Sequence, residues 1–143
     1  MSPEEKRKLT NALVIDDERA FQEITKLIFQ KHGYRVLTAA NGVEALALVE
    51  QHGTHLRVVV TDIAMPLMDG LEMLRQLHTR RAEIPVVLMS GTIRAGSAPL
   101  PPGAAGFLMK PFRVEQLLTV IAEALGSLPV INKQAGSGAN GPS

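Results

Sequence analysis

LRVVVTDIAMPLMDG, residues 56–70, decides how this chain folds. Leu56 to Thr61 is apolar and β-branched, the composition of a strand covered on both faces, and it stops at Asp62. The loop that follows turns through Pro66 and Gly70 into a segment carrying Leu71, Leu74 and Leu77, the spacing of a helix. A buried strand ending in a carboxylate and passing directly into a helix is half of a parallel βαβ unit.

The same pattern recurs on either side. Upstream, ALVI within residues 11–15 halts at Asp16 and Asp17, and a helix follows whose apolar face is read from Ala20, Ile24, Leu27 and Ile28, closing at Gly33. YRVLTAA (34–40) is strand-like, and Asn41 with Glu44 makes a capping-box pattern that opens a helix through Val43, Leu46 and Ala47 to Gly53. Downstream, PVVLM (85–89) is a fourth buried strand with Ser90 and Gly91 at its end. GFLM (106–109) is a fifth, ending at Lys110, and the last helix carries Val114, Leu117, Leu118, Ile121, Ala122 and Leu125. The expected fold is α/β: a doubly wound five-stranded parallel sheet, helices on both faces, right-handed crossovers. The stretch 91–106 holds Pro99, Pro101 and Pro102 among four glycines, and a proline inside a helix costs ~3 kcal/mol, so the fourth helix is expected to be short or missing. Residues 1–10 read as a lead-in, 11–125 as the domain, and 126–143, rich in Gly, Ser and Pro, as a flexible tail.

Bulk composition narrows the function. At 143 residues one domain is expected, and 45% apolar with 20% charged side chains is a globular balance. A formal charge of +1 offers no field for nucleic acid or an anionic membrane, so neither is expected as a direct partner. The chain has no cysteine, which excludes disulfides, thiolate catalysis and Cys-ligated metals. No apolar run approaches the ~18 residues of a membrane span and MSPEEKRKLT is no signal peptide, so a cytoplasmic location is the default. His32, His52, His55 and His78 lack metal-ligand spacing.

In such a sheet ligands bind at the carboxyl ends of the strands, near the point where strand order reverses. Four strands here end in polar residues: Asp16 and Asp17, Asp62, Ser90, and Lys110. Carboxylates ~4 Å apart repel by ~4 kcal/mol at an effective dielectric near 20, so a cation is required, and oxygen ligands without Cys or placed His favour Mg²⁺. Asp62, standing alone at the end of a central strand, is the best nucleophile for a phosphoryl group, with Lys110 neutralising charge and Ser90 donating a hydroxyl.

VIDDE, TDIAMPLMDG, MSG and FLMKPF, in this order over residues 11–125, make the chain resemble the receiver domain of two-component response regulators. The resemblance implies a flavodoxin-like sheet of order 2-1-3-4-5. It implies phosphorylation at Asp62, and Mg²⁺ held by Asp17, Asp62 and the backbone carbonyl of Ala64, with Asp16 acting through water. Lys110 would pair with the phosphoryl group, Ser90 and Phe107 would be the switch pair, and Pro111 would follow a cis bond. The implied partners are a histidine kinase or a histidine phosphotransfer protein upstream and an unspecified effector downstream. A homodimer through the family's signalling face is a further option, although that face ordinarily includes the fourth helix.

Two other readings compete. A degenerate receiver acting as a constitutive binding module would have lost an acidic or lysine position, and none is lost. A phosphatase with an Asp nucleophile would want an acid two residues on, where Ala64 stands, so a regulatory phosphoacceptor rather than an enzyme is expected. With no output domain after Leu125, the chain reads as a stand-alone regulator or as a piece of a larger protein such as a hybrid histidine kinase.

Overall fold

The computed structural model describes residues 11–91 and 100–126. Five strands, β1 (Asn11–Ile15), β2 (Arg35–Ala39), β3 (Leu56–Asp62), β4 (Val86–Ser90) and β5 (Ala104–Met109), form one sheet of order β2-β1-β3-β4-β5 in which every pairing is parallel. Among the described residues there are four α-helices: α1 (Arg19–Lys31), α2 (Gly42–His52), α3 (Gly70–Arg80) and α4 (Val114–Ala124). This is the doubly wound fold expected from the alternation of strands and helices.

The pleat divides the core in two. Leu13, Ile15 and Val59 point to the side covered by α2 and α3, where Ala45, Val49, Met73, Leu74 and Leu77 meet them. Ala12, Val14, Val58 and Val60 point the other way, onto Phe29 of α1 and Leu117 and Ile121 of α4. With helices on both faces, β1, β3 and β4 are buried nearly throughout, which is why their sequences read as unbroken apolar runs.

Helix boundaries follow local chemistry. Asn41 Oδ1 accepts from Glu44 N at 2.9 Å, and the Glu44 carboxylate accepts from Ala40 N at 2.6 Å, so the predicted capping box forms with its return bond one residue earlier than usual. Asp69 caps α3 through Glu72 N at 2.9 Å. The Asp69-Gly70 pair therefore starts a helix.

Three expectations are corrected. The buried side of α1 is Thr25 and Phe29, while Ile24 and Leu27 are 53% and 56% exposed. The helix is rotated from the predicted phase because Phe29 fills the core and the Thr25 hydroxyl, bonded to the Phe21 carbonyl at 2.9 Å, can be buried beside it without an unpaired donor. β5 begins at Ala104, two residues early, since pairing with Val86 extends it. Leu71 and Val114 face solvent at the starts of α3 and α4. In the fourth crossover, residues 100–103 are irregular and carry no helix, and residues 92–99 lie outside the described residues, as do the lead-in 1–10 and residues 127–143 of the tail.

Candidate functional site

Strand register assembles the site. β1 pairs Ile15 with Thr61 and β3 pairs Asp62 with Met89, so Asp16, Asp62 and Ser90 end three adjacent strands at one level. β4 pairs Ser90 with Met109, and Lys110 N donates to the Ser90 carbonyl at 2.8 Å, which adds Lys110 to the row. The reversal of strand order falls between β1 and β3, so the row lies across the crevice where such sheets bind ligands.

One carboxylate oxygen from each of Asp16, Asp17 and Asp62 lies within 4.8 Å of the others. Asp16 is 1% and Asp62 8% exposed, while Asp17 is open to solvent. Asp17 does not cap α1; Glu18 holds that position without a side-chain capping bond. The Lys110 ammonium sits 2.7 Å from Asp16 Oδ2 and 3.1 Å from Asp62 Oδ2, with Glu18 Oε1 further out at 3.7 Å. Ser90 is buried at the end of β4, Phe107 is half-buried against the α2/α3 side of the core, and the Lys110–Pro111 bond is cis. Ala64 is exposed in the loop two residues past Asp62, where its side chain brings no acid.

Electrostatics follow from crowding and burial. Burial pushes the Asp62 carboxyl above its ordinary value, against the hydrogen bond and charge of Lys110, and the neighbouring Asp16 adds to the rise. For Lys110, burial works against the charge, but its contacts with Asp16 and Asp62 outweigh it and hold the ammonium above its usual value. Among the described residues, the one ammonium of Lys110 faces the carboxylates of Asp16, Asp62 and, further out, Glu18. Asp16 Oδ1 accepts from Glu18 N at 2.9 Å, whereas Asp16 Oδ2 is sealed from solvent and accepts no hydrogen bond, its partner being the ammonium as an ion pair. A cluster of three carboxylates whose hard oxygens outnumber the ammonium facing them fits Mg²⁺.

Several positioning residues escaped the sequence reading. Gln22 donates from one amide to the carbonyls of Asp16 and Ala39, both at 3.0 Å, tying the ends of β1 and β2 together. Gly70 lies so close to β3 that a Cβ on it would meet the Asp62 carbonyl oxygen at 2.2 Å. The Phe21 ring lies beneath the Lys110 ammonium, 4.3 Å from its centroid, and meets Phe112 edge-on at 5.3 Å. Aromatic scarcity was the available signal: of only four phenylalanines, Phe107 and Phe112 bound FLMKPF and Phe21 follows VIDDE within a single helical turn.

Comparison with known proteins agrees with this geometry. The sequence matches the response regulator receiver domain family over residues 12–122. It is 39% identical over 115 residues to the sensor kinase CckA of Brucella abortus, covering 79% of this chain and 12% of that protein. It is 38% identical over 108 residues to the response regulator MprA of Mycobacterium sp. (strain KMS), covering 74% of this chain and 46% of that one. The chain thus spans less than half of either relative's length. Among solved structures, the response regulator TrrA of Thermotoga maritima in complex with Mg²⁺-BeF superposes with a TM-score of 0.74 at 28% identity, covering 81% of this chain and 99% of that chain.

Proposed function

Since the chain belongs to the response regulator receiver domains, a family of regulatory phosphoacceptor modules, we propose that it is a signalling switch phosphorylated on Asp62. The observation that carries this reading is the packing of three carboxylates within 4.8 Å of one another, with one ammonium 3.1 Å from Asp62 at the end of β3. An Asp62 carboxylate oxygen attacks the phosphorus of a phosphohistidine on a kinase or phosphotransfer protein. A P–O bond forms, the P–N bond breaks, and the electron pair leaves on the imidazole nitrogen.

Asp16, Asp17, Asp62 and the Ala64 carbonyl are the oxygens assigned to Mg²⁺, which when bound neutralises the charge of the transferring group. Lys110 holds its ammonium beside Asp62 and pairs with a phosphoryl oxygen once the group arrives. Ser90 supplies a hydroxyl donor from the adjacent strand, and Phe107 is the side chain that repacks when Ser90 moves. The added charge of about −1.5 to −2 biases a two-state equilibrium that an effector reads.

Incubation with acetyl phosphate and Mg²⁺, followed by intact mass measurement, is expected to show one added phosphoryl group on wild type and none on Asp62→Ala. Equal labelling of the two would refute the assignment. The match to a stretch that is 12% of a sensor kinase favours a second setting, a receiver joined to a longer kinase, in which the chemistry at Asp62 is the same.

A further inference from the structure

We infer that Phe21 is a positioning residue for Lys110, its ring face fixing where the ammonium points. The inference rests on the phosphoacceptor reading above and assigns a part to a side chain that this reading leaves unused. Three observations carry it. The ammonium lies 4.3 Å from the Phe21 centroid, within the range of an attractive cation–ring contact, while Asp16 Oδ2 and Asp62 Oδ2 bind it at 2.7 and 3.1 Å. The Lys110 side chain is only 10% exposed, so the ring takes a place that water would otherwise fill. Finally, the ring is itself held: Phe112 meets it edge-on at 75°, and Phe112 is anchored in the α1/α4 side of the core.

The arrangement is economical in chain terms. Phe21 stands on the first turn of α1, one turn after the acidic pair, while Lys110 and its prop Phe112 come from one short segment after β5. Phe21 is half-buried, yet among the described residues it belongs to neither of the two core clusters. Lysine has four rotatable bonds and a compact charge that can swing between acceptors. With a ring on one side and two carboxylates on another, that freedom is reduced before any phosphoryl group arrives, so less ordering remains for the transfer step.

The test compares wild type, Phe21→Leu and Phe21→Trp in the full chain. Leu keeps apolar bulk without a π-face, and Trp restores the face. Two readouts are taken. The Lys110 ε-methylene proton shift, measured without phosphodonor, reports a ring over the ammonium directly. The rate of phosphorylation by acetyl phosphate with Mg²⁺ reports the consequence. The expected result is an upfield ε-methylene in wild type and Phe21→Trp that is lost in Phe21→Leu, with Phe21→Leu phosphorylated about fivefold more slowly and Phe21→Trp close to wild type. An ε-methylene shift unchanged by Phe21→Leu would overturn the inference whatever the rates. Equal slowing by Leu and Trp, or no slowing by Leu, would overturn it too. A wild type that takes up no phosphoryl group would instead refute the phosphoacceptor reading, with the ring contact still decided by the proton shift.

Discussion

Replacing Gly70 with alanine sets two effects of opposite sign against each other. Gly70 is the first residue of α3, and helix propensity alone would make alanine more stable there by up to ~1 kcal/mol. Yet the added Cβ would stand 2.2 Å from the Asp62 carbonyl oxygen and 3.0 Å from Ile63 Cα. Side-chain carbons essentially never approach closer than 3.0 Å, so helix and strand must part by roughly 0.8 Å, from 2.2 to 3.0 Å. The obstacle is backbone at the buried end of β3, which cannot swing aside as a side chain would. Overpacking of this kind costs ~1–3 kcal/mol, and the Gly70 N–H bond to the Ile63 carbonyl, 2.8 Å long, weakens by up to ~1 kcal/mol more. Net of propensity, Gly70→Ala is expected to lose about 2 kcal/mol, a fall of ~1–2 M in the urea midpoint.

Gly91→Ala is the control. Its Cβ meets nothing within 4 Å among the described residues, so its stability should stay within ~0.5 kcal/mol of wild type. Because the displaced atoms carry Asp62, the Gly70 variant should also lose part of whatever stabilisation Mg²⁺ confers. A Gly70→Ala midpoint at or above that of wild type would refute the reasoning, since propensity would then have outweighed the clash.

Two further outcomes follow from the site and the core. Asp17→Asn removes one of three mutually repelling carboxylates, the solvent-screened one, and should stabilise the metal-free protein by ~1 kcal/mol while abolishing the rise in melting temperature on adding Mg²⁺; thermal scans with and without the metal check both. Burial raises the phenol of Tyr34 above its ordinary value, with the nearby Arg57 charge pulling weakly the other way. As Tyr34 is the only tyrosine and the chain has no tryptophan, absorbance near 295 nm should titrate with a single midpoint above that of free tyrosine, ~10. The folded state favours the neutral phenol, so this contribution to stability is full below the unfolded value and is lost as pH rises through the folded one. A midpoint at or below ~10 would contradict the burial of the ring against Phe29.

Residue pattern alone was sufficient for the fold class, the element order and the acidic cluster, and the reason is local. Parallel strands covered on both faces must be continuous apolar runs, and a polar residue closing such a run must lie at its carboxyl end, so VIDD, VVVTD, VLMS and FLMK announced both the strands and the rim of the site. Helix phase was less legible. In α1, Ile24 and Leu27 look more core-like than Thr25, but which face turns inward depends on what the sheet offers it and on whether the threonine hydroxyl finds a partner, here the Phe21 carbonyl.

Tertiary structure alone decided the distances at which the chemistry happens. That Lys110 meets Asp16 and Asp62, residues 48 or more positions away, depends on the register of three strand pairings. That Gly70 touches the Asp62 carbonyl, and that Phe21 lies under the ammonium with Phe112 at its edge, depends on how helices settle against strands. Hydrophobic periodicity is a property of neighbours in the chain and can be read from it, whereas close contact between distant segments is set by packing, for which no local pattern stands in.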